Sequence, residues 1–220
     1  MRDLFAVVIA TLLVGCAGPA PSSTNNGDDA PMPDASTTPD SPTQMAMCPM
    51  AATTADTGAL TAIKSQRCNV PGTMGAQKWY RLSASLPGQA TDIVQLELWD
   101  AKGAFTGGTV QPGTYQLTGA ELSMATCGVC LRAVGDKGTA GAKQYFATAG
   151  TVVVTTVGAA GTTFAATVTS ATFAEVDATG AKVTGGCSAA LAGAQVSGTI
   201  VDVGGGGGGG GGQCPATVGD

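Results

Sequence analysis

Hydrophobic and polar residues alternate over short windows through most of the chain beyond Cys68. In residues 78–86, Tyr80, Leu82, Ala84 and Leu86 share one parity, while Arg81, Ser83 and Ser85 share the other. A strand with one buried face has that period. Val94, Leu96 and Leu98 alternate with Gln95 and Glu97 in the same way. Tyr115 and Leu117 mark a short strand after Pro112-Gly113, and Val129, Leu131 and Ala133 another over residues 128–134. Residues 143–148 and 151–157 read as two strands joined by a tight turn at Ala149-Gly150. Val152, Val153 and Val154 are apolar on both faces, which predicts a central strand covered on each side. Over residues 163–176 the parity changes: Phe164, Ala166 and Val168 are followed by Thr172, Ala174 and Val176, with Phe173 facing the other way. That change predicts a two-sided strand or a bend near Ser170-Ala171. Ala194, Val196, Gly198 and Ile200 form the last strand.

The turns agree with this reading. Asp100 to Gly103 and Asp177 to Gly180 place Asp first and Gly fourth, the preference of a type I turn entering a left-handed residue. Asp136-Lys137-Gly138 is a shorter version. Only residues 45–63, rich in Ala and Met, suggest a helical turn or two. Seven to nine short strands with frequent Gly-containing turns predict an all-β domain over residues 48–203, an antiparallel β-sandwich.

The first 47 residues follow other rules. Arg2 precedes an apolar run from Leu4 to Val14, the charged and apolar regions of an export signal over residues 1–15. The run is too short to cross a bilayer as a helix, which takes about 20 residues. Residues 17–47 hold six prolines, four aspartates and no Lys or Arg among Ser, Thr and Asn. Such a stretch buries too little apolar surface to offset its ordering entropy and reads as a disordered tether, with an O-glycosylated stalk as the alternative. Residues 204–212 are nine consecutive glycines, which predict a flexible linker to a tail carrying Cys214.

Composition narrows the chemistry. Hydrophobic residues make up 44 % of the 220, enough to bury a core. Residues 48–220 carry ten acidic and nine basic side chains, so no basic surface for nucleic acid is expected. Histidine is absent, which removes the commonest general base and every His-ligated metal site. No cofactor and no metal centre is expected. Seven cysteines leave six for disulfides if Cys16 is modified: Cys48, Cys68, Cys127, Cys130, Cys187 and Cys214. Cys48-Pro49 and Cys214-Pro215 bracket the domain and are read as one pair.

Three constellations could carry function. Cys127-Gly128-Val129-Cys130 has the spacing of a redox dithiol or half a zinc site, yet it runs into strand-like residues with no second Cys-x-x-Cys. A structural disulfide is the expected reading. Trp79 and Trp99 fall opposite the apolar sets of their strands and could stack on sugar rings, against ordinary packing as the alternative. Glu97 with Asp100, and Glu175 with Asp177, offer carboxylate pairs for acid–base chemistry, and the oxygen-rich turn loops could hold calcium, though no ligand-dense loop stands out. Asp100 and Asp177 are already accounted for as turn residues, and Glu175 and Asp177 sit side by side rather than flanking a substrate.

Leu13-Val14-Gly15-Cys16 resembles the lipobox of bacterial lipoproteins. The resemblance implies cleavage before Cys16, a thioether-linked diacylglycerol on its sulfur and an acylated amine. The body, about residues 68–200, is similar to uncharacterised envelope lipoproteins of the myxobacterial type. The matching stretches are residues 110–119, residues 125–130, Phe173-Ala174-Glu175-Val176 and Gly185-Gly186-Cys187. That similarity brings no assigned activity. The expected protein is therefore an extracytoplasmic, lipid-anchored module without catalytic residues. Its expected partners are the membrane and, beyond it, an envelope polysaccharide or protein. Ala17 in place of Asp after the cysteine implies the outer membrane, by analogy with enteric lipoproteins.

Overall fold

The computed structural model describes residues 48–51, 53–70, 77–88 and 91–203. The expectations for residues 1–15, Cys16, the tether 17–47, the glycine run 204–212 and Cys214 lie outside the described residues. The strands are β1 (Ala59–Thr61), β2 (Lys64–Val70), β3 (Gln77–Ser85), β4 (Ile93–Trp99), β5 (Gly113–Gln116), β6 (Val129–Gly135), β7 (Lys143–Thr156), β8 (Thr163–Val176), β9 (Ser188–Leu191), β10 (Ala194–Thr199) and β11 (Val201–Asp202). Two 3-10 turns, Gly103–Phe105 and Gly119–Leu122, complete the set, and the described residues contain no α-helix.

The expected all-β class holds, but the strands form one mixed sheet and not an antiparallel sandwich. Their order is β1-β10-β8-β7-β6-β4-β3-β2-β11, with β5 added beside β7 and β9 beside β8. β1 runs parallel to β10 and β11 parallel to β2, while the other ladders are antiparallel. Only Ala62-Ile63 separates β1 from β2, and only Ile200 separates β10 from β11. The two ends of the sheet therefore meet, with Ala59 opposite Gln195 and Gln66 opposite Val201. The sheet curls around one core. Tyr80 of β3 and Phe164 of β8, which share no ladder, meet edge to face across it at 6.3 Å. Alternation reports that one face of a strand is buried; it does not say whether the facing side chains belong to a second sheet or to the far side of the same one.

The inward sets are those the periodicity indicates. Leu82, Ala84, Val94, Leu96, Leu98, Val129, Leu131, Ala133, Val152, Phe164 and Val196 are buried in a single cluster. Each large apolar side chain so buried contributes about 1.5–3 kcal/mol. Val153 is half-buried, so the triplet is covered fully on one face only, although β5 and β8 flank it in the sheet.

Two local expectations change. Ala149-Gly150 is not a turn: β7 runs through it as a 14-residue strand, and the register against β8 shifts between Ala147 and Ala149. The irregularity lies where β8 switches its inward set from Phe164, Ala166 and Val168 to Ala171 and Phe173, the bend expected near Ser170. Gly150 is required there, because a Cβ would lie 2.5 Å from the Ser170 carbonyl oxygen. A bulge and a turn interrupt alternation alike, and only the long partner strand separates them. The helical turn read over 45–63 is also absent among the described residues. Thr54 donates to the Ala190 carbonyl and accepts from Ala192, and β1 pairs with β10, so the sheet takes up these backbone groups.

Candidate functional site

The outward faces of β3, β4 and β6 carry the most concentrated polar chemistry of the domain. Register places Trp79 opposite Trp99, Arg81 opposite Glu97 and Ser83 opposite Gln95, with Arg132 of β6 beside Gln95. Glu97 is the hub. Its Oε1 accepts from Arg81 Nε (3.1 Å) and Nη2 (2.9 Å), from Gln95 Nε2 (2.6 Å) and from Arg132 Nη1 (3.3 Å). Its Oε2 accepts from Trp99 Nε1 at 3.4 Å. Ser83 Oγ donates to Gln95 Oε1 at 2.8 Å, and Arg132 reaches Gln144 of β7. The Arg81 guanidinium lies 4.3 Å over the Trp79 ring, and the Lys102 ammonium 4.4 Å over Trp99.

An outward face of this kind is ordinarily wet, but here Arg81 is 1 % exposed, Ser83 and Gln95 0 % and Glu97 4 %. A charge removed from water must be matched by a partner and by hydrogen bonds, and Glu97 has both. The carboxylate is saturated by donors, and the one hydroxyl of the cluster is spent on an amide. The arrangement braces three strands and presents no base beside a nucleophile. Gln66, opposite Arg81 on β2, differs: its buried Oε1 has no hydrogen-bond partner.

Trp79 and Trp99 do share the face opposite the apolar core, as their parity implies. They meet edge to face, 6.4 Å between centroids at 78°. Trp79 is only 2 % exposed and cannot offer its ring to a sugar, and Trp99 is half-buried beneath Lys102. The pattern of β3 and β4 located the two indoles. It did not single out Arg81, Gln95 or Arg132, although the Arg–Glu complementarity of the two outward sets was the available signal.

Cys127 and Cys130 form a disulfide, with Cα atoms 5.3 Å apart and both residues at least 97 % buried. The pair leads into β6 and not into a helix whose N-terminus would lower a thiol pKa. Its loop is held by Glu121, 5 % exposed, whose Oε1 accepts from Ala104 N (2.6 Å) and whose Oε2 accepts from Gly128 N (2.9 Å) and Val129 N. Glu121 was not singled out from the sequence. Gly128 allows the loops to close, since a Cβ there would lie 2.2 Å from the Lys102 carbonyl oxygen. Cys48 is bonded to Cys187 across 139 residues, which overturns the expected Cys48–Cys214 pair. The Pro-flanked cysteines matched in sequence only; β8 and β9 bring Cys187 to the start of the domain. Cys68 is disulfide-bonded as well.

The acidic candidates are each occupied structurally. Glu175 Oε2 accepts from Lys143 Nζ (2.9 Å) and from the Cys187 backbone N–H (2.8 Å). The Cys187 N–H holds the Glu175 carboxyl below its ordinary range; burial opposes it in part, and the hydrogen bond and charge of Lys143 add to the lowering. Asp177 is likewise lowered, by Thr179 and the backbone of its turn, and Gly180 takes the left-handed conformation expected there. Asp100 Oδ1 accepts from Val110 N at 2.7 Å. Asp92 is the opposite case: burial pushes its carboxyl up, opposed in part by the N–H of Asp136 and reinforced by the charge of Asp136. Among the described residues, no three His, Cys, Asp or Glu side chains are grouped to hold a metal ion, and no helix is long and apolar enough to cross a membrane. No family model, no curated protein and no solved structure matches the chain.

Proposed function

We propose that the chain is an exported, lipid-anchored protein of the bacterial cell envelope whose β-domain is a non-catalytic binding or structural module. The observation that carries this reading is Leu13-Val14-Gly15-Cys16 at the end of a short apolar run. Two or three acyl chains on Cys16, at about 0.8 kcal/mol per buried CH₂, would make the attachment effectively permanent. The disulfides Cys48–Cys187 and Cys127–Cys130 support export, because such bonds persist outside the reducing cytosol. The saturated hydrogen bonding of Glu97 supports a module without acid–base chemistry. Ala17 favours the outer membrane, where the organism has one.

The test is the full chain expressed in a bacterium, followed by detergent phase partition and mass analysis of the N-terminal peptide. The expected result is a detergent-phase protein that begins at an acylated Cys16, with Cys16→Ala moving it to the aqueous phase. An unmodified Cys16, or unchanged partition of the variant, refutes the reading.

A further inference from the structure

We propose that the Cys48–Cys187 disulfide is a thiol-exchange site, opened by a dithiol reductant that attacks Cys48 and expels Cys187 as a thiolate beside Lys143. The two disulfides built from described residues differ in access. Cys48 is exposed, whereas Cys127 and Cys130 are 1 % and 3 % exposed. An attacking thiolate needs a sulfur it can reach, approached from the side opposite the sulfur that leaves. Cys48 offers such a face and the buried Cys187 does not. Cys48 therefore takes the incoming sulfur and Cys187 departs.

The departing sulfur has a cation against it. Lys143 Nζ donates toward Cys187 Sγ at 3.4 Å. Glu175 fixes this contact, because its Oε2 accepts from both Lys143 Nζ and the Cys187 N–H and so holds the ammonium at that residue. Lys182 lines the same open groove of about 560 Å³ as Cys187 and adds a second positive charge. Of the nearby carboxylates, Glu175 is engaged as described, and Asp177 is bonded to Thr179 and Ala181 within its own turn. Two ammonium groups against one engaged carboxylate favour negative charge on the sulfur. A cation beside a cysteine lowers its thiol pKa, and a thiol of lower pKa leaves faster. Cys127 and Cys130 sit instead in an apolar cluster with Phe146 and Val176, surroundings that disfavour a thiolate.

The exchange runs in two steps. The reductant's first thiol loses its proton to solvent and its sulfur bonds to Cys48 Sγ; the Cys48–Cys187 bond breaks, and its electron pair stays on Cys187. The second thiol then displaces Cys48 and passes it a proton. The reductant is left as a disulfide, oxidised by the two electrons that the protein pair has gained.

The experiment exposes the unreduced full chain to limiting dithiothreitol, stops the reaction at intervals with iodoacetamide and maps the alkylated cysteines by mass. A parallel sample receives reduced glutathione, whose single thiol leaves an adduct on the sulfur it attacks. Cys48 and Cys187 should be alkylated ahead of Cys127 and Cys130, and the glutathione adduct should sit on Cys48. A neighbouring unit charge changes a thiol's tendency to leave by about three- to tenfold. Lys143→Met should therefore slow the opening of Cys48–Cys187 by that factor, and Lys143→Arg should restore most of the rate. The opening of Cys127–Cys130, which reports on the fold, should not change in either variant. Equal rates for Lys143→Met and the natural chain overturn the proposal. So does an adduct on Cys187, or Cys127–Cys130 opening first. If Lys143→Met does not fold, the alkylation order and the adduct position in the natural chain still decide. None of these readouts depends on acylation of Cys16, so the lipid anchor stands or falls separately.

Discussion

Replacing Glu121 tests whether one buried carboxylate holds the loops around Cys127. Its two oxygens accept three backbone N–H groups, from Ala104, Gly128 and Val129, at a residue 5 % exposed. Glu121→Ala leaves those donors without their acceptor in a site too tight for easy hydration. A hydrogen bond to a charged group contributes about 1.5–3 kcal/mol, and three donors sharing one carboxylate are not independent. The expected loss is about 3–5 kcal/mol. Glu121→Gln keeps one acceptor oxygen but aims an amide N–H₂ at the other donors, so it should lose nearly as much, about 2–4 kcal/mol. Urea unfolding followed by circular dichroism reads this as a lower midpoint at unchanged slope. A loss below about 1 kcal/mol for Glu121→Ala would show that water or loop relaxation satisfies the amides, and would refute the clamp.

Four further outcomes follow from the same geometry. Glu97→Ala strands Arg81 and Arg132 without their common acceptor and should destabilise by about 3–5 kcal/mol, read by chemical unfolding. Gly150→Ala forces a Cβ against the Ser170 carbonyl and should lower the melting temperature through a cost of about 1–3 kcal/mol. Gly108→Ala, where the nearest atom is 3.9 Å from the added carbon, should stay within about 0.5 kcal/mol as a control. Glu175 has a folded pKa below its ordinary value of 4.5, so its stabilisation is complete above that value and is lost as pH falls through the folded one. Stability of the natural chain and of Glu175→Gln should therefore converge toward acid pH; parallel curves would contradict the Lys143 and Cys187 contacts.

Strand phase, the Asp177–Gly180 turn and the bend were written in the chain as local signals. The inward set of Tyr80, Leu82 and Ala84, the left-handed Gly180 after Asp177, and the parity change ahead of Ala171 each depend on residues only a few positions apart. A period of two is set by the backbone itself, so no distant partner is needed to read it. Tertiary structure alone decided the rest. That the strands make one sheet depends on the unbroken ladders from β10 through β8, β7, β6, β4 and β3 to β2, and its two edges are completed by β1 on β10 and β11 on β2, pairs more than 130 residues apart. The same distance hid the partner of Cys48, since cysteine spacing carries no pairing information, and β9 had to bring Cys187 to it. The outward parity of Arg81 and Glu97 was open to inspection in sequence, but their burial was not. A strand's polar face reads the same whether water or another part of the chain lies on it, and only the folded whole determines which.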